Sequence, residues 1–274
     1  MYLSHLSTPR LLDAIKSRLD DYRADEALTH DQWRRVTSPR RMLRAINEAD
    51  IQLCGDLKVE KQIIIYLPEE TSTLHMSASS YDVGEHANAI QELIEKEPDG
   101  KHYLFFNENY YQHIGTLRSQ YIVGYKDYPV GSASPAVRYG VVPFTTFQKS
   151  QAGRAYCDDR FGMMPTAHVD HGRGVIQLSR TQEAGTFLTF KAHILPEKVD
   201  FNEVENTDES VSDAYTPVTP TYAERALVLT SLVELLPETN PVYNIIQRNQ
   251  FEAFKQARLR VPTDNSVKKV ESWL

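Results

Sequence analysis

The spacing of apolar residues is helical at both ends of the chain and extended between them. Ser38-Pro39 and Asn240-Pro241 each place a side-chain oxygen acceptor before a proline, which is typical of a helix start. Glycine readily adopts the left-handed conformation that closes a helix, so we expect the third helix to end near Gly55. The pattern predicts five terminal helices, beginning at Ser7, Thr29, Pro39, Thr221 and Asn240.

Between Lys58 and Leu195 the period changes to that of strands, in segments rich in aromatic and β-branched residues. One helix, Glu85–Lys96, interrupts them, and a Gly/Ser/Pro-rich loop covers Pro129–Pro135. The last two strands are expected to pair as a hairpin about a turn at Gln182–Gly185. The predicted strands are Gln62–Leu67, Lys101–Phe106, Gln120–Tyr125, Arg138–Phe147, Gly174–Leu178 and Thr186–Phe190.

This order of elements predicts an α+β fold. The N- and C-terminal segments form a helical bundle, with an inserted antiparallel β-rich domain and an extended C-terminal arm. A doubly wound parallel sheet does not fit, because a single helix intervenes between the strands. The predicted domains are a discontinuous helical body over 1–57 and 215–262, an inserted β-rich domain over 58–214, and an arm over 263–274.

Composition narrows the function classes. Residues 58–220 hold 14 basic and 22 acidic side chains, so the net charge of −7 over 274 residues arises in the middle of the chain. An acidic protein is a poor candidate for gripping a phosphate backbone, although nucleic acid can slide past it. No apolar run is long enough to cross a membrane, and Met1–Arg10 lacks a signal-peptide core. We therefore expect a soluble, unsecreted protein without a membrane partner.

His168-Val169-Asp170-His171 is the sharpest candidate for metal chemistry. Two imidazoles and a carboxylate suit a metal, which leaves a metal-dependent hydrolase as the alternative function. The motif precedes Gly172 and Gly174, so a polar hairpin loop is the favoured interpretation. No P-loop, nucleophile elbow or CxxC motif occurs. We predict no catalytic residue, no metal and no cofactor.

Arginines are concentrated in one short stretch that contains no acidic residue. Such a run is typical of a solvated helix face, and it also suits contact with nucleic acid or with an acidic face of a neighbouring subunit. The acidic middle of the chain makes the subunit contact the better functional interpretation. The candidate subunit-interface residues are Arg34, Arg35, Arg40, Arg41 and Arg44.

The last residues of the sequence carry a large aromatic side chain without helical or strand periodicity. Tryptophan is a frequent anchor in protein interfaces, so this arm predicts binding to a partner. Docking onto the chain's own helices is the equally weighted alternative. The candidate binding residues are Lys268, Lys269, Val270, Trp273 and Leu274.

Three stretches resemble the head-to-tail adaptor, or connector, proteins of tailed bacteriophages. Ser38–Ala49 is similar to the early adaptor helix, which has the sequence pattern LxxINxA. Met164–Pro196 is similar to the closing hairpin, and Pro220–Pro237 to the helix that precedes the adaptors' long helix and arm. Together the three stretches contain 63 of the 274 residues.

The resemblance implies a structural protein of the virion neck, made in the host cytoplasm. It implies a homo-oligomeric ring, dodecameric in the family, whose lumen DNA crosses without specific binding. The helices would form the ring body, the arm would engage the portal protein, and the β-rich domain would face tail or nozzle proteins. Another tail or baseplate protein is a further alternative.

Overall fold

A computed structural model describes residues 8–25, 28–67, 69–77, 103–104, 112–126, 135–156, 164–201 and 215–261. These form two compact units, one within Glu60–Val199 and the other within His5–Val59 and Asp200–Leu274. The first is a sheet unit and the second a helical unit, so the predicted α+β fold, with terminal helices packed together and an inserted sheet, is confirmed. The domain limits taken from the sequence stay a prediction, and the arm over 263–274 lies outside the described residues.

The helical unit is organised about one central helix. This helix, α5 (Glu224–Leu235), packs against α1 (Thr8–Ala24), α3 (Pro39–Leu57) and α6 (Tyr243–Leu259), and its side chains are buried on most sides. A single 3₁₀ turn, Thr221–Ala223, leads into it. The helices of the unit are α1 (Thr8–Ala24), α2 (His30–Val36), α3 (Pro39–Leu57), α5 (Glu224–Leu235) and α6 (Tyr243–Leu259).

The starts of these helices follow the capping chemistry in the sequence, with one difference in detail. Thr29 and Gln32 form a complete capping box at the start of α2. Pro39 opens α3, as predicted, but the Ser38 side chain makes no capping hydrogen bond. Before α6, the Asn240 side chain accepts the Val242 N–H at 3.0 Å.

The predicted end of α3 at Gly55 is wrong. The helix continues to Leu57, which is buried, and Lys58 closes it in the left-handed conformation with φ of 50°. Extending the helix places Leu57 on the same buried face as Leu53. Burial of a leucine outweighs the modest conformational preference that glycine has for a helix end.

The described residues of the sheet unit form one mixed, nine-stranded sheet. Its order is β2-β8-β7-β6-β5-β9-β1-β3, and β4 also pairs with β9. The pairings β1·β3 and β6·β7 are parallel, whereas the predicted domain was antiparallel throughout. The strands are β1 (Glu60–Leu67), β2 (Thr71–His75), β3 (Tyr103–Leu104), β4 (Gln112–Leu117), β5 (Tyr121–Tyr125), β6 (Val137–Val141), β7 (Thr166–Asp170), β8 (Val175–Gln182) and β9 (Thr186–Pro196).

The longest strand, β9, organises this sheet. Its residues Thr186–His193 pair with the whole of β1 on one side. On the other side, β5 pairs with Phe187–Thr189 and β4 with Ala192–Pro196. The buried residues of the unit are spread over several strands and include Ile63, Ile65, Ile122, Tyr139, Ala167, Ile176, Leu178 and Leu188.

The predicted hairpin between the last two strands is wrong. β8 pairs with β2 and β7, and β9 pairs with β1, β4 and β5, so β8 and β9 are not neighbours. A turn does connect β8 to β9, with Gly185 at φ of 78°. The Gly185 N–H donates to the carbonyl of Leu67 in β1, at 2.7 Å. A turn and alternating apolar residues do not by themselves identify a strand's partner. The hairpin lies instead between β7 and β8.

The predicted strand Arg138–Phe147 is also only half right. Strand β6 ends at Val141, and a further helix, α4 (Phe144–Tyr156), follows. The carbonyl of Pro143 accepts the N–H groups of Thr146 and Phe147, both at 3.0 Å, and so opens this helix. The predicted helix Glu85–Lys96, most of the strand Lys101–Phe106 and nearly all of the loop Pro129–Pro135 lie outside the described residues.

Gly55 offers a direct test of the α3 geometry. A methyl group at Gly55 meets no atom within 4 Å, and the residue lies on the exposed face of the helix. We expect Gly55→Ala to raise the free energy of unfolding by about 0.5–1 kcal/mol, because alanine loses less conformational entropy in a helix. Urea denaturation measures this difference. Gly185→Ala is the matched control and should destabilise, since its φ is positive; a destabilising Gly55→Ala would contradict a helix through this position.

Candidate functional site

The arginines singled out in the sequence lie on α2 and α3 of the helical unit. Arg34, Arg35 and Arg41 are exposed, and their side chains make no hydrogen bond or ion pair with any described residue. Arg40 and Arg44 have interactions of their own. Three guanidinium groups on a folded surface therefore remain available to a partner.

Arg40, Arg41 and Arg44 line a shallow cleft of about 390 Å³ together with Glu48 and Glu234. Partial burial, and then the neighbouring Glu48 carboxylate, raise the pKa of Glu234. Two carboxylates beside three arginines give this cleft a mixed charge. Such a surface suits contact with another charged protein surface better than contact with a polyanion.

Helix α2 is held in a fixed orientation against α1. The Trp33 indole N–H donates to Oδ1 of Asp20 at 2.8 Å, and the guanidinium of Arg23 lies 4.8 Å from the Trp33 ring centre. On α1, the exposed carboxylates of Asp13 and Asp21 make no hydrogen bond or ion pair within the described chain. The unit thus presents available charges of opposite sign on different helices.

The last helix of the unit, α6, has its large apolar side chains on the outside. Its buried face consists of Ile246, Ala253 and Ala257. Ile245, Phe251 and Leu259 are 61%, 66% and 82% exposed, respectively. Alanines allow α6 to approach α5 closely, and the larger side chains of α6 are left exposed within the part of the chain that the structure describes.

A groove of about 410 Å³ runs between α3 and α6, beside Phe251. Leu53, Phe251 and Phe254 supply its apolar surface, and Asp56 lies at its rim. Thr230 lies at its floor, where it accepts a hydrogen bond from Nε2 of Gln250 at 3.1 Å. Gln52, Gln247 and Gln250 complete the lining, so the groove combines an apolar surface with polar side chains, and its buried hydroxyl is already paired.

A deeply buried polar cluster is centred on Asp50 of α3. Its carboxylate accepts the backbone N–H groups of Val218 and Thr219, each at 2.8 Å, and the hydroxyls of Thr219 and Tyr215. Asp50 is fully buried, and the Cys54 thiol lies 3.4 Å from Oδ1. The carboxylate oxygens are occupied by internal donors, so this cluster is a structural clamp rather than a site of chemistry.

Tyr215 connects this clamp to the rest of the unit. Its carbonyl accepts the Thr8 hydroxyl of α1, and its ring packs edge-on against Phe201 at 6.1 Å. Burial, followed by the Asp50 carboxylate, raises the pKa of the Tyr215 phenol well above its ordinary value. Sequence reasoning missed this cluster, although an aspartate between Ala49 and Leu53 on a buried helix face was a signal for it.

The candidate metal motif is not assembled as a metal site. His168 lies in β7 with its ring 5.2 Å from Phe144 and 5.9 Å from Phe147, and its Nδ1 is 3.3 Å from the carbonyl of Val142. Asp170 accepts the Arg173 N–H at 3.2 Å, and His171 is exposed in the turn that follows. Among the described residues, no group of three potential ligands could hold a metal ion. The motif forms the polar hairpin turn that its glycines indicate.

A second cluster in the sheet unit brings together Ser77, His113 and Glu197. Ser77 is the bridge partner of His113 and donates its hydroxyl to Glu197. Burial lowers the pKa of His113, and the Glu197 charge opposes that shift. The Ser77 hydroxyl is therefore engaged with the Glu197 carboxylate, and no catalytic role is assigned to this cluster.

The candidate binding residues Lys268, Lys269, Val270, Trp273 and Leu274 lie outside the described residues. No helix in the described ranges has the length and apolar character that a membrane crossing requires. A scan against protein-family models and a search of curated proteins found no match to the chain.

The Asp50 clamp predicts a large loss of stability on truncation. We expect Asp50→Ala to lower the free energy of unfolding by about 3–5 kcal/mol, because it leaves buried N–H and O–H donors unpaired. Thermal or urea denaturation measures the loss. Asp56→Ala on the same helix, where the side chain is exposed, is the control and should change stability little; equal effects would argue against the clamp.

Tyr215 predicts a loss of stability in alkaline solution. Its pKa is higher in the folded than in the unfolded chain, so its contribution is complete below about pH 10 and declines as the pH rises through the folded pKa. Urea denaturation from pH 8 to 11 should show this decline. Tyr215→Phe should weaken the decline and, because a hydroxyl donor to Asp50 is lost, lower stability by about 1–3 kcal/mol at neutral pH. An unchanged alkaline profile in the variant would contradict the assignment.

Proposed function

We propose that the protein is a ring-forming structural subunit of the head-to-tail adaptor type. The observation that carries the proposal is the helical unit, in which available arginines on α2 and α3 and available aspartates on α1 belong to one folded body. Together with an inserted sheet unit, this is the organisation expected of an adaptor. No catalytic role is proposed for any residue.

Charges of opposite sign on one body allow a heterologous contact between copies. In such a contact the arginine surface of one copy meets the acidic helix of the next. A two-fold contact that covers both surfaces pairs the same charges reciprocally, so the adaptor resemblance, rather than charge alone, is what favours a ring. A heterologous contact closes into a ring when its rotation permits closure, and a ring is the form that the adaptor resemblance implies.

The location of the acidic charge refines the role proposed for the sheet unit. Between residues 58 and 201 the described part of the chain holds 11 basic and 7 acidic side chains, so the excess of acids arises outside the described residues. The described part of the sheet unit, with its excess of basic side chains, does not supply an acidic surface that repels DNA. The proposal therefore rests on the helical unit rather than on the described sheet.

The proposed partners are further copies of the chain, the portal protein and tail or nozzle proteins, with transient, non-specific passage of DNA. The proposed place is the virion neck, after synthesis in the host cytoplasm. The residues at the end of the sequence, including Trp273, are proposed to engage the portal. A metal-dependent hydrolase is less well supported, because the His168 ring is placed against the Val142 carbonyl and Asp170 accepts the Arg173 N–H of the β7–β8 turn.

Assembly tests the proposal directly. We expect light scattering to give a ring-sized mass when the protein is mixed with the portal protein of the same source. Arg34→Glu/Arg35→Glu/Arg41→Glu should prevent ring formation while leaving the fold intact, since these side chains have no partner within the described chain. The control, Lys149→Glu/Arg248→Glu/Lys255→Glu, makes the same change of charge at other exposed positions. A monomer that ignores the portal would overturn the proposal, and equal loss in both variants would remove the arginines from it.

A further inference from the structure

The groove between α3 and α6 leaves an apolar surface uncovered in the described chain. Phe251 is 66% exposed although it lies beside the buried Leu53 and the half-buried Phe254. Exposed aromatic side chains next to a concave apolar surface are typical of docking sites. The groove is also open enough to receive a large side chain.

We propose that Trp273 and Leu274 dock in this groove, covering Phe251 of the same chain. The segment is available for this role because the described residues end at Val261 and the sequence continues for 13 residues. Phe251 lies ten residues before Val261, which is about 15 Å along the helix. Twelve residues of extended chain span about 40 Å, so Trp273 reaches the groove with slack.

The chemistry of the segment matches that of the groove. Trp273 and Leu274 are the two large apolar side chains beyond Val261, and an indole ring has a large apolar area to bury. Lys268 and Lys269 precede them by a few residues, and the exposed Asp56 at the groove rim makes no hydrogen bond or ion pair with another described residue. An aromatic anchor beside a charge pair favours one occupant, which is the chain's own C-terminal segment.

This inference does not depend on the proposed ring. Docking in the same chain is independent of protein concentration, whereas docking on a second copy is not. A segment held in its own groove is withheld from other partners until they compete for it. The docking therefore adds a regulated step to any binding that the segment performs.

Tryptophan fluorescence tests the docking in the full chain, which has two tryptophans, Trp33 and Trp273. Trp33→Phe leaves Trp273 as the sole reporter. We expect its emission to be blue-shifted, and its quenching by acrylamide to be severalfold weaker, than in a synthetic peptide of residues 262–274. Neither property should change on dilution. If Trp33→Phe does not fold, the difference between the wild-type chain and Trp273→Phe gives the same signal.

Substitution in the groove then identifies the docking surface. Phe251→Asp should return Trp273 to the emission and quenching of the free peptide. The matched control is Ile245→Asp on the same helix, where the side chain is similarly exposed but lies about 120° away around the axis. Peptide-like quenching in the unsubstituted groove, or equal effects of the two variants, would overturn the inference. A blue shift that disappears on dilution would assign the groove to a second copy instead.

Discussion

The helical unit depends on the carboxylate of Asp50. It joins a helix near the beginning of the chain to a segment 165 to 169 residues later, through two backbone N–H groups and two hydroxyls. Closing so long a loop costs conformational entropy, although that cost grows only slowly with loop length. A buried, multiply bonded carboxylate is well suited to this task because its donors lose far more when they are left unpaired than they gain from any alternative partner. An inserted sheet unit of any reasonable size can then be tolerated between the two joined segments.

The parts of the fold that were predictable from sequence are those that local chemistry determines. Pro39 and the Thr29 capping box mark helix starts, and the apolar run through Ile63–Ile65 marks β1, because each signal acts within a few residues. Gly55 misled the prediction since burial of Leu57 decided where α3 ends. The β8–β9 hairpin misled it since a strand's partner depends on the whole sheet. Sheet order is a non-local property, and neither alternation nor a turn residue encodes it.

The candidate site, like the fold, was predictable only where the signal is local in the sequence. The arginine run was visible as a concentration of charge, but which arginines are available depends on tertiary contacts that exist only after folding. The groove beside Phe251 was not visible, because α6 reverses the usual pattern and buries alanines while exposing larger side chains. Asp50 was overlooked because a single charged residue on an apolar helix face is easily discounted. A carboxylate buried on such a face nevertheless requires a specific set of buried donors.

Charge and apolar surface contribute differently to any assembly of this protein. Exposed ion pairs contribute at most about 1 kcal/mol each, so the arginines act mainly on orientation and on the rate of encounter. Full burial of a phenylalanine or leucine side chain contributes about 1.5–3 kcal/mol, so the exposed side chains of α6 supply the larger free energy. If the chain's own Trp273 covers part of that surface, a partner gains only the difference between its contact and the internal one. The arginines would then select the partner by its charge, and the internal contact would oppose binding of the apolar surface. A partner that matches neither the charge nor the apolar surface would not displace the segment.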